Sequence, residues 1–191
     1  MIDPENVTNF ERTESELQEF FLFAVVAAGK TAIIQAGKLE EFLTPAWNRG
    51  ITPFEYIREL SEKDHLRSMV CEVKLGQYNR ITAAFESALE YDLTTATTED
   101  LEKIPGVGPK TSRFFLLHTR PFQQFAVLDT HILAWLGDNV EGLAVPKATP
   151  QSASRYRSLE KVFLEQAKKL NMKPEDLDIQ IWRERGRRVA V

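Results

Sequence analysis

The sequence predicts an all-α fold in which short helices pack around two cores. In most segments apolar residues recur every three or four positions, which is the period of an amphipathic helix. No segment alternates apolar and polar residues over the length of a strand. Capping residues, glycines and prolines separate the segments at short intervals. A chain of 191 residues is long enough for one or two small lobes with buried interiors.

The first half of the chain contains five helical segments. Thr13, with Glu16 three residues later, forms a capping-box pattern that begins the first helix, which is expected to run through Val25. The second helix is expected over residues 31–42, because Pro45 then closes it. Three further segments begin at Thr52-Pro53, Asp64 and Tyr78 and run to about Leu60, Lys74 and Tyr91.

The sequence of the second half predicts a short helix, a hairpin turn and four longer helices. The short helix begins at Thr98 and breaks at Pro105, and the next begins at Pro109, where the missing N–H of proline costs nothing. Another helix follows Asp129 directly, and residues 137–150 are expected to form a loop. The last two helices are expected to begin at Ser152 or Ser154 and at Pro174, the first of them ending at Leu170.

The stretch from Leu101 to Leu136 organises the chain around a tight turn. Gly106-Val107-Gly108 joins the short helix to the helix that starts at Pro109. The backbone N–H groups of such a turn, next to a helix N-terminus, can point outward and hold one phosphate group. The pattern predicts a helix-hairpin-helix over residues 98–118 that grips the DNA backbone without reading its sequence. Further contacts with DNA are expected from Lys30, Lys103 and Arg113. The alternative for Lys30 is a solvated lysine near the C-terminal end of the first helix that interacts only with the helix dipole.

Two residues in this stretch are candidates for chemistry. Lys110 lies in the first turn of a helix, where the positive end of the macrodipole disfavours an ammonium group and favours a nucleophilic amine. The alternative for Lys110 is an exposed lysine that only contacts phosphate. Asp129, 19 residues later, is either a helix cap alone or a capping carboxylate that also accepts a proton or stabilises a cation.

The hairpin, Lys110 and the segment Leu128-Asp129-Thr130-His131-Ile132 together resemble the signature of the endonuclease III superfamily of DNA glycosylases, a helix-hairpin-helix followed by a Gly/Pro-rich loop and an aspartate. The C-terminal pattern is a long helix followed by Leu177-Asp178-Ile179-Gln180-Ile181-Trp182 and a glycine. It resembles the archaeal-type 8-oxoguanine DNA glycosylases, which lack an iron–sulfur cluster. The resemblance covers most of the chain beyond residue 13. That family ends in a lysine that reads the oxidised base, whereas this chain ends in Val189-Ala190-Val191.

The resemblance implies a two-lobed helical DNA glycosylase fold with the hairpin at the interlobe cleft. One lobe would contain residues 1–44 and 137–191. The other would contain residues 45–136, with the catalytic aspartate on a loop over residues 119–129. Trp182 and Arg187 would lie in the base pocket, although an apolar-face tryptophan such as Trp182 is also an ordinary core residue.

The resemblance also implies a bifunctional DNA glycosylase and AP lyase of base excision repair. Lys110 would attack the C1′ carbon of the sugar and displace the base, for which 8-oxoguanine is the first guess. A Schiff base would follow, and β-elimination would nick the strand. The alternatives are a monofunctional glycosylase and a non-catalytic helix-hairpin-helix module that binds DNA. Pairing Lys110 with Asp129 favours the enzyme, because a binding module would need Asp129 only as a cap.

The charge distribution agrees with a DNA-binding second half. Residues 1–100 contain 9 Lys+Arg against 18 Asp+Glu, a net charge of −9. Residues 101–191 contain 15 against 10, a net charge of +5, and include the hairpin. We therefore expect the partner to be double-stranded DNA with a damaged or modified base, and the protein to be a monomer.

Cofactor and location follow from the remaining residues. Cys71 is the only cysteine, which excludes a disulfide framework and a four-cysteine cluster. No cofactor is expected to be required, although a structural monovalent cation at the hairpin is consistent with the turn. His118 and His131 have no metal-ligand spacing and are interpreted as structural or phosphate-contacting. The acidic N-terminus and the short apolar run over residues 20–28 predict a cytoplasmic, nucleoid-associated protein without a membrane segment.

Overall fold

The computed structural model describes residues 2–186 and contains ten helices and no strand within that range. The helices are α1 (Glu14–Ala27), α2 (Ala32–Arg49), α3 (Pro53–Glu62), α4 (Leu66–Glu72), α5 (Tyr78–Ala88), α6 (Thr98–Leu101), α7 (Pro109–Thr119), α8 (Thr130–Asn139), α9 (Ala153–Lys169) and α10 (Pro174–Gly186). The prediction of an all-α chain is confirmed. None of these helices is long and apolar enough to cross a lipid bilayer.

Hydroxyl caps begin α1, α3 and α9 at residues that the sequence predicts, whereas Thr31 before α2 and His65 before α4 make no side-chain cap bond. At α1 the Thr13 hydroxyl accepts from the N–H of Glu16, and the Glu16 carboxylate accepts from the N–H of Thr13. Thr52 and Glu55 form the same capping box at α3. Ser152 caps α9. These side chains satisfy first-turn N–H groups that have no acceptor within their own helix.

Two helices are longer than the sequence predicts. α2 continues through Pro45 to Arg49 and ends at Gly50, whose φ of +67° provides a left-handed cap. The apolar residues around the proline are buried, with Ala46 fully enclosed, so packing outweighs the one lost backbone hydrogen bond. α8 likewise continues to Asn139, so the loop expected from residue 137 begins later.

Two hydrophobic cores organise the helices. The first includes buried residues from Val7 to Leu116 and lies among α1 to α7. α1 is its centre, because every residue from Phe20 to Val26 is buried. The second core includes residues from Ala126 to Ile181 and lies among α8, α9 and α10.

These cores divide the chain differently from the lobes that the resemblance implies. Residues 14–44, expected to pack with the C-terminal part, contribute to the first core instead. The physical reason is that every residue of α1 from Phe20 to Val26 is apolar, so this part of the helix must be enclosed on all sides by other helices. The segment before α1 does reach the C-terminal part, since Arg183 on α10 donates to the carbonyl oxygen of Glu5.

Candidate active site and nucleic-acid interface

A cavity of about 670 Å³ lies between the two cores. Its walls come from α1 and the turn that follows it, from α7, from the start of α8 and from α10. Concave sites with apolar walls and a few polar groups are typical of ligand binding. The titratable side chains that line it are Lys30, Lys110, Asp129, His131 and Asp178, and the aromatic ones are Phe23, Phe114 and Trp182.

Lys110 lies in the first turn of α7 and lines the cavity. Pro109, the residue before Lys110, occupies the first helical position, so the helix begins there. The Lys110 side chain is partly exposed, and its amine has no hydrogen bond or ion pair to any other residue in the range 2–186. The amine is therefore available to a molecule in the cavity.

Asp129 caps α8 and also faces the cavity. Its Oδ1 accepts from the N–H of Ile132 at 2.8 Å, whereas its Oδ2 has no hydrogen-bond donor in the described part of the chain. Burial raises the pKa of the Asp129 carboxyl above its ordinary value, and the charge of Asp178 acts in the same direction. The Ile132 N–H, His131 and Lys110 oppose this increase. One oxygen thus holds the helix start, and the other is free for chemistry.

A second carboxylate, Asp178, enters the cavity from α10. It is only 5% exposed and is held by His118, whose Nε2 lies 3.2 Å from Asp178 Oδ2. The other ring nitrogen of His118, Nδ1, lies 2.8 Å from Thr8 Oγ1. His118 is fully buried, so of its two expected roles the structural one fits and phosphate contact does not.

The hairpin turn between α6 and α7 presents free donors. Gly106 has a φ of +79°, and a Cβ there would lie 2.6 Å from Arg80 Cγ, so the position requires glycine. Gly108 is extended, with open space where a Cβ would point. Within residues 2–186 the N–H groups of Gly108, Lys110 and Thr111 have no acceptor, which is the arrangement expected of a phosphate site.

Arg80 holds the hairpin turn through hydrogen bonds to two backbone carbonyl groups. Its Nη1 donates to the carbonyl oxygen of Gly106 and its Nη2 to that of Val25, both at 3.1 Å. Burial lowers the pKa of the Arg80 guanidinium. The Val107 side chain is buried and anchors the turn in the first core. Because one turn carbonyl already accepts from Arg80, a monovalent cation at the hairpin would need other carbonyl oxygens; that expectation stays a prediction.

Lys30 lies at the edge of the cavity and is already engaged. Its ammonium donates to the carbonyl oxygen of Leu75, across the gap between the α1–α2 turn and the loop before α5. Burial lowers the pKa of Lys30, and the charges of Arg80 and Lys38 act in the same direction. Lys30 therefore joins two loops at the cavity edge, and DNA would have to displace its Leu75 bond to bind it directly.

The two cations expected beside the hairpin have different environments. Lys103 is exposed and pairs with Asp100 at 3.0 Å, which leaves it accessible to DNA. Arg113 is 12% exposed and pairs with both Glu102 and Glu160. The expected contact between Arg113 and DNA does not fit this position, because its largely buried guanidinium already pairs with two carboxylates of the protein.

The structure describes one of the two residues expected in the base pocket. Trp182 lines the cavity one helical turn after Asp178 and is partly exposed, so its ring can contact a ligand there. Arg187 and the terminal Val189-Ala190-Val191 lie outside the described residues. In the described range, 2–186, no group of three or more His, Cys, Asp or Glu side chains is arranged to hold a metal ion.

The positive charge of the second half does not by itself mark a DNA-binding face. Besides Arg113, four of its arginines make contacts within the fold: Arg120 to Leu93, Arg155 to Ala144, Arg183 to Glu5 and Arg185 to Asp138. The hairpin turn is a better guide to the interface, since its donors are unused.

Sequence reasoning missed Asp178 and Arg80. Asp178 lies between the buried residues Leu177 and Ile181 on α10, and an acidic residue on the buried side of a helix is a detectable signal. Arg80 gives no such signal, because its contact with Gly106 joins residues 26 positions apart.

Comparison with known proteins agrees with this geometry. Residues 90–112 match the family model of the helix-hairpin-helix motif. Two relatives, from Picrophilus torridus and Thermoplasma volcanium, are each described as an 8-oxoguanine DNA glycosylase/AP lyase and are 37% and 39% identical over 82 residues. That segment is 43% of this chain and 37% of each relative, so the match spans little more than a third of their length.

The fold comparison covers nearly the whole chain. The crystal structure of the 8-oxoguanine DNA glycosylase from Methanocaldococcus jannaschii matches with a TM-score of 0.65 and 17% identity, over 95% of this chain and 84% of that one. At this identity the likeness shows the fold. The resemblance to archaeal-type 8-oxoguanine DNA glycosylases, all-helical and with a helix-hairpin-helix, is confirmed.

Proposed function

We propose that this protein is a bifunctional DNA glycosylase and AP lyase that removes a modified base from duplex DNA. One observation carries the proposal: Lys110, whose amine has no partner within residues 2–186, and Asp129 line the same cavity, beside a hairpin turn with unused N–H donors. The names of the relatives make 8-oxoguanine the first candidate for the base.

The chemistry begins with the neutral amine of Lys110. Its Nζ forms a bond to C1′ as the glycosidic C1′–N bond breaks and the base leaves, and Asp129 Oδ2 accepts the proton that Nζ releases. The proton on Asp129 then passes to O4′ as the sugar ring opens, which gives a protonated imine between Nζ and C1′. The departed base, released as an anion, takes a C2′ proton, and elimination of the 3′ phosphate nicks the strand. Burial favours Asp129 as the acceptor, because a raised pKa makes a carboxylate a better base.

The partner in this proposal is double-stranded DNA. The hairpin donors bind one phosphate, and the target nucleotide rotates out of the stack into the cavity, since C1′ cannot be reached inside a duplex. Trp182 and Asp178 lie on the same side of α10 and would face the extruded base.

Two exposed isoleucines next to the cavity edge are consistent with a distorted duplex. Ile33 and Ile34 lie in the first turn of α2 and are 71% and 53% exposed. The residues just before them, 28–32, line the cavity. Apolar side chains often insert between base pairs where a protein kinks DNA, and such insertion would fill the gap that an extruded base leaves.

A panel of duplexes tests the proposal. Each duplex contains one defined base, including 8-oxoguanine opposite each normal base, and base release, strand nicking and borohydride crosslinking are measured. Crosslinking and nicking on at least one modified duplex, with none on unmodified DNA, are expected. Base release without nicking would favour the monofunctional alternative. Binding without base release on any duplex would favour the non-catalytic module.

We expect Gly108→Val to weaken binding to duplex DNA about tenfold or more, because its side chain would project toward the phosphate and remove one or two charge-assisted hydrogen bonds. The free protein has room for the substitution, since nothing lies within 4 Å of a Cβ at residue 108. Fluorescence anisotropy over a salt series measures the effect, and Gly108→Ala should give a smaller loss. Unchanged affinity for Gly108→Val would show that the phosphate does not bind at this turn.

We expect Asp178→Asn to shift the acidic limb of the pH–rate profile to lower pH. The negative charge of Asp178 raises the pKa of Asp129, so removing that charge lowers it, and Asp129 stays ionised further into acid. Asparagine keeps an acceptor for His118. Single-turnover base release across pH measures the limb, with the exposed Asp176→Asn on the same helix as control. A limb that stays in place for Asp178→Asn would exclude Asp129 as its source.

A further inference from the structure

The segment that leads to Asp129 has no strand or helix to satisfy its backbone. Ala126 and Leu128 are fully buried and lie outside any helix, so their polar groups need partners within the protein. The partners are side chains: the Tyr156 hydroxyl donates to the carbonyl of Ala126 at 2.7 Å and accepts from the N–H of Leu128 at 3.2 Å. The hydroxyl of Thr149 donates to the carbonyl of Leu128 at 2.8 Å.

The remaining partner connects this segment to the helix of Lys110. The N–H of Ala126 donates to Glu160 Oε1 at 3.1 Å, and the same oxygen accepts from Arg113 Nε at 2.8 Å. Arg113 lies on α7, three residues after Lys110, so about one helical turn separates them. A single carboxylate oxygen therefore joins the helix that presents the amine to the segment that presents the carboxylate.

Arg113 is also attached to the hairpin. Its Nη1 donates to Glu102 Oε1 at 2.9 Å, and the hydroxyl of Ser112 donates to the same oxygen at 2.8 Å. Its guanidinium lies 4.7 Å from the ring centre of Tyr156. The side chains of Arg113 and Glu160 are 12% and 11% exposed, so little solvent competes for these bonds.

We infer that Arg113 and Glu160 form a positioning pair that fixes the distance between Lys110 and Asp129. The pair touches neither substrate nor reacting atoms and acts by holding the backbone at Ala126. This inference rests on the proposed function. A displacement of about 1 Å between reacting groups can cost about 10²-fold in rate, which is the size of effect that such a pair can control.

The test uses the double variant Arg113→Met/Glu160→Gln in the full chain. Removing one partner leaves a buried charge without its counterion and destabilises the fold, whereas removing both leaves neither member of the buried pair charged. Glu102 also loses Arg113, but its side chain is 32% exposed and it keeps the bond from the Ser112 hydroxyl. The Glu160→Gln change keeps a side-chain oxygen for the N–H of Ala126, but nothing then ties that oxygen to α7. We expect near-native melting temperature and DNA affinity, with single-turnover base release about 10- to 10²-fold slower. Amide hydrogen exchange at Ala126 and Leu128 should be faster.

Two further variants make the result specific. Tyr156→Phe removes the hydroxyl but keeps the ring beside Arg113, and should slow base release while leaving DNA affinity unchanged. Arg49→Met/Glu59→Gln removes a more exposed ion pair between α2 and α3, with side chains 48% and 35% exposed. It should change neither the rate of base release nor amide exchange at Ala126 and Leu128. A double variant of the buried pair with native rate and native exchange would overturn the inference. So would a rate loss fully explained by a smaller folded fraction.

Failure of the proposed function gives a different result. In that case the native protein releases no base from any duplex, whereas exchange at Ala126 and Leu128 still reports whether the pair holds this segment. Native exchange in the double variant would then overturn the positioning pair independently of activity.

Discussion

Lys110→Gln is expected to abolish both borohydride crosslinking and strand nicking. Glutamine keeps similar length and helix propensity but has no nucleophilic nitrogen, so no imine to C1′ can form. DNA affinity should stay largely intact, because the hairpin donors are backbone N–H groups that the substitution does not remove. Denaturing gels of the trapped complex and of the nicked strand measure the two outcomes.

Lys103→Gln is the matched control for this variant. Lys103 lies on the other side of the same hairpin and is exposed, so its loss should weaken binding slightly and leave crosslinking in place. Persistent crosslinking by Lys110→Gln would assign the nucleophile to another lysine, with Lys30 and Lys103 the next to test. Base release by Lys110→Gln without nicking would instead indicate that water attacks the sugar.

Asp129→Asn is expected to slow base release by roughly 10²- to 10⁴-fold, the range typical of a general acid or base. Asparagine is as good a helix cap as aspartate, so the bond to the Ile132 N–H is kept and α8 should begin at the same residue. The substitution removes only the charge. Single-turnover kinetics on a crosslinkable duplex measures the effect.

The stability of Asp129→Asn should separate chemistry from folding. Because burial raises the pKa of the Asp129 carboxyl, the folded state binds more protons than the unfolded state just above the ordinary pKa. The free energy of unfolding therefore decreases as pH rises through that window, so the ionised carboxylate destabilises the folded state at neutral pH. Asp129→Asn should melt at the native temperature or above, whereas Asp129→Ala loses the cap as well, about 1 kcal/mol. Native rates for Asp129→Asn would restrict Asp129 to capping.

Local chemistry determined much of this protein from its sequence. The capping boxes at Thr13 and Thr52, the helix start at Pro109 and the cap at Asp129 depend on residues within four positions of one another. The turn at Gly106 likewise needs only a residue that adopts positive φ. These short-range signals were sufficient to predict the all-α class, the hairpin and the two candidate residues.

Only the tertiary structure decided which distant groups meet. α2 passes through Pro45 because the apolar residues around the proline are buried, and α1 joins the first core because all its residues from Phe20 to Val26 are apolar. Arg113, which was expected to contact DNA, instead pairs with Glu160, which lies 47 residues later in the chain. The sequence around a charged side chain does not show whether that side chain will contact a phosphate or a carboxylate. For Arg113 the approach of α9 to α7 places a carboxylate beside it.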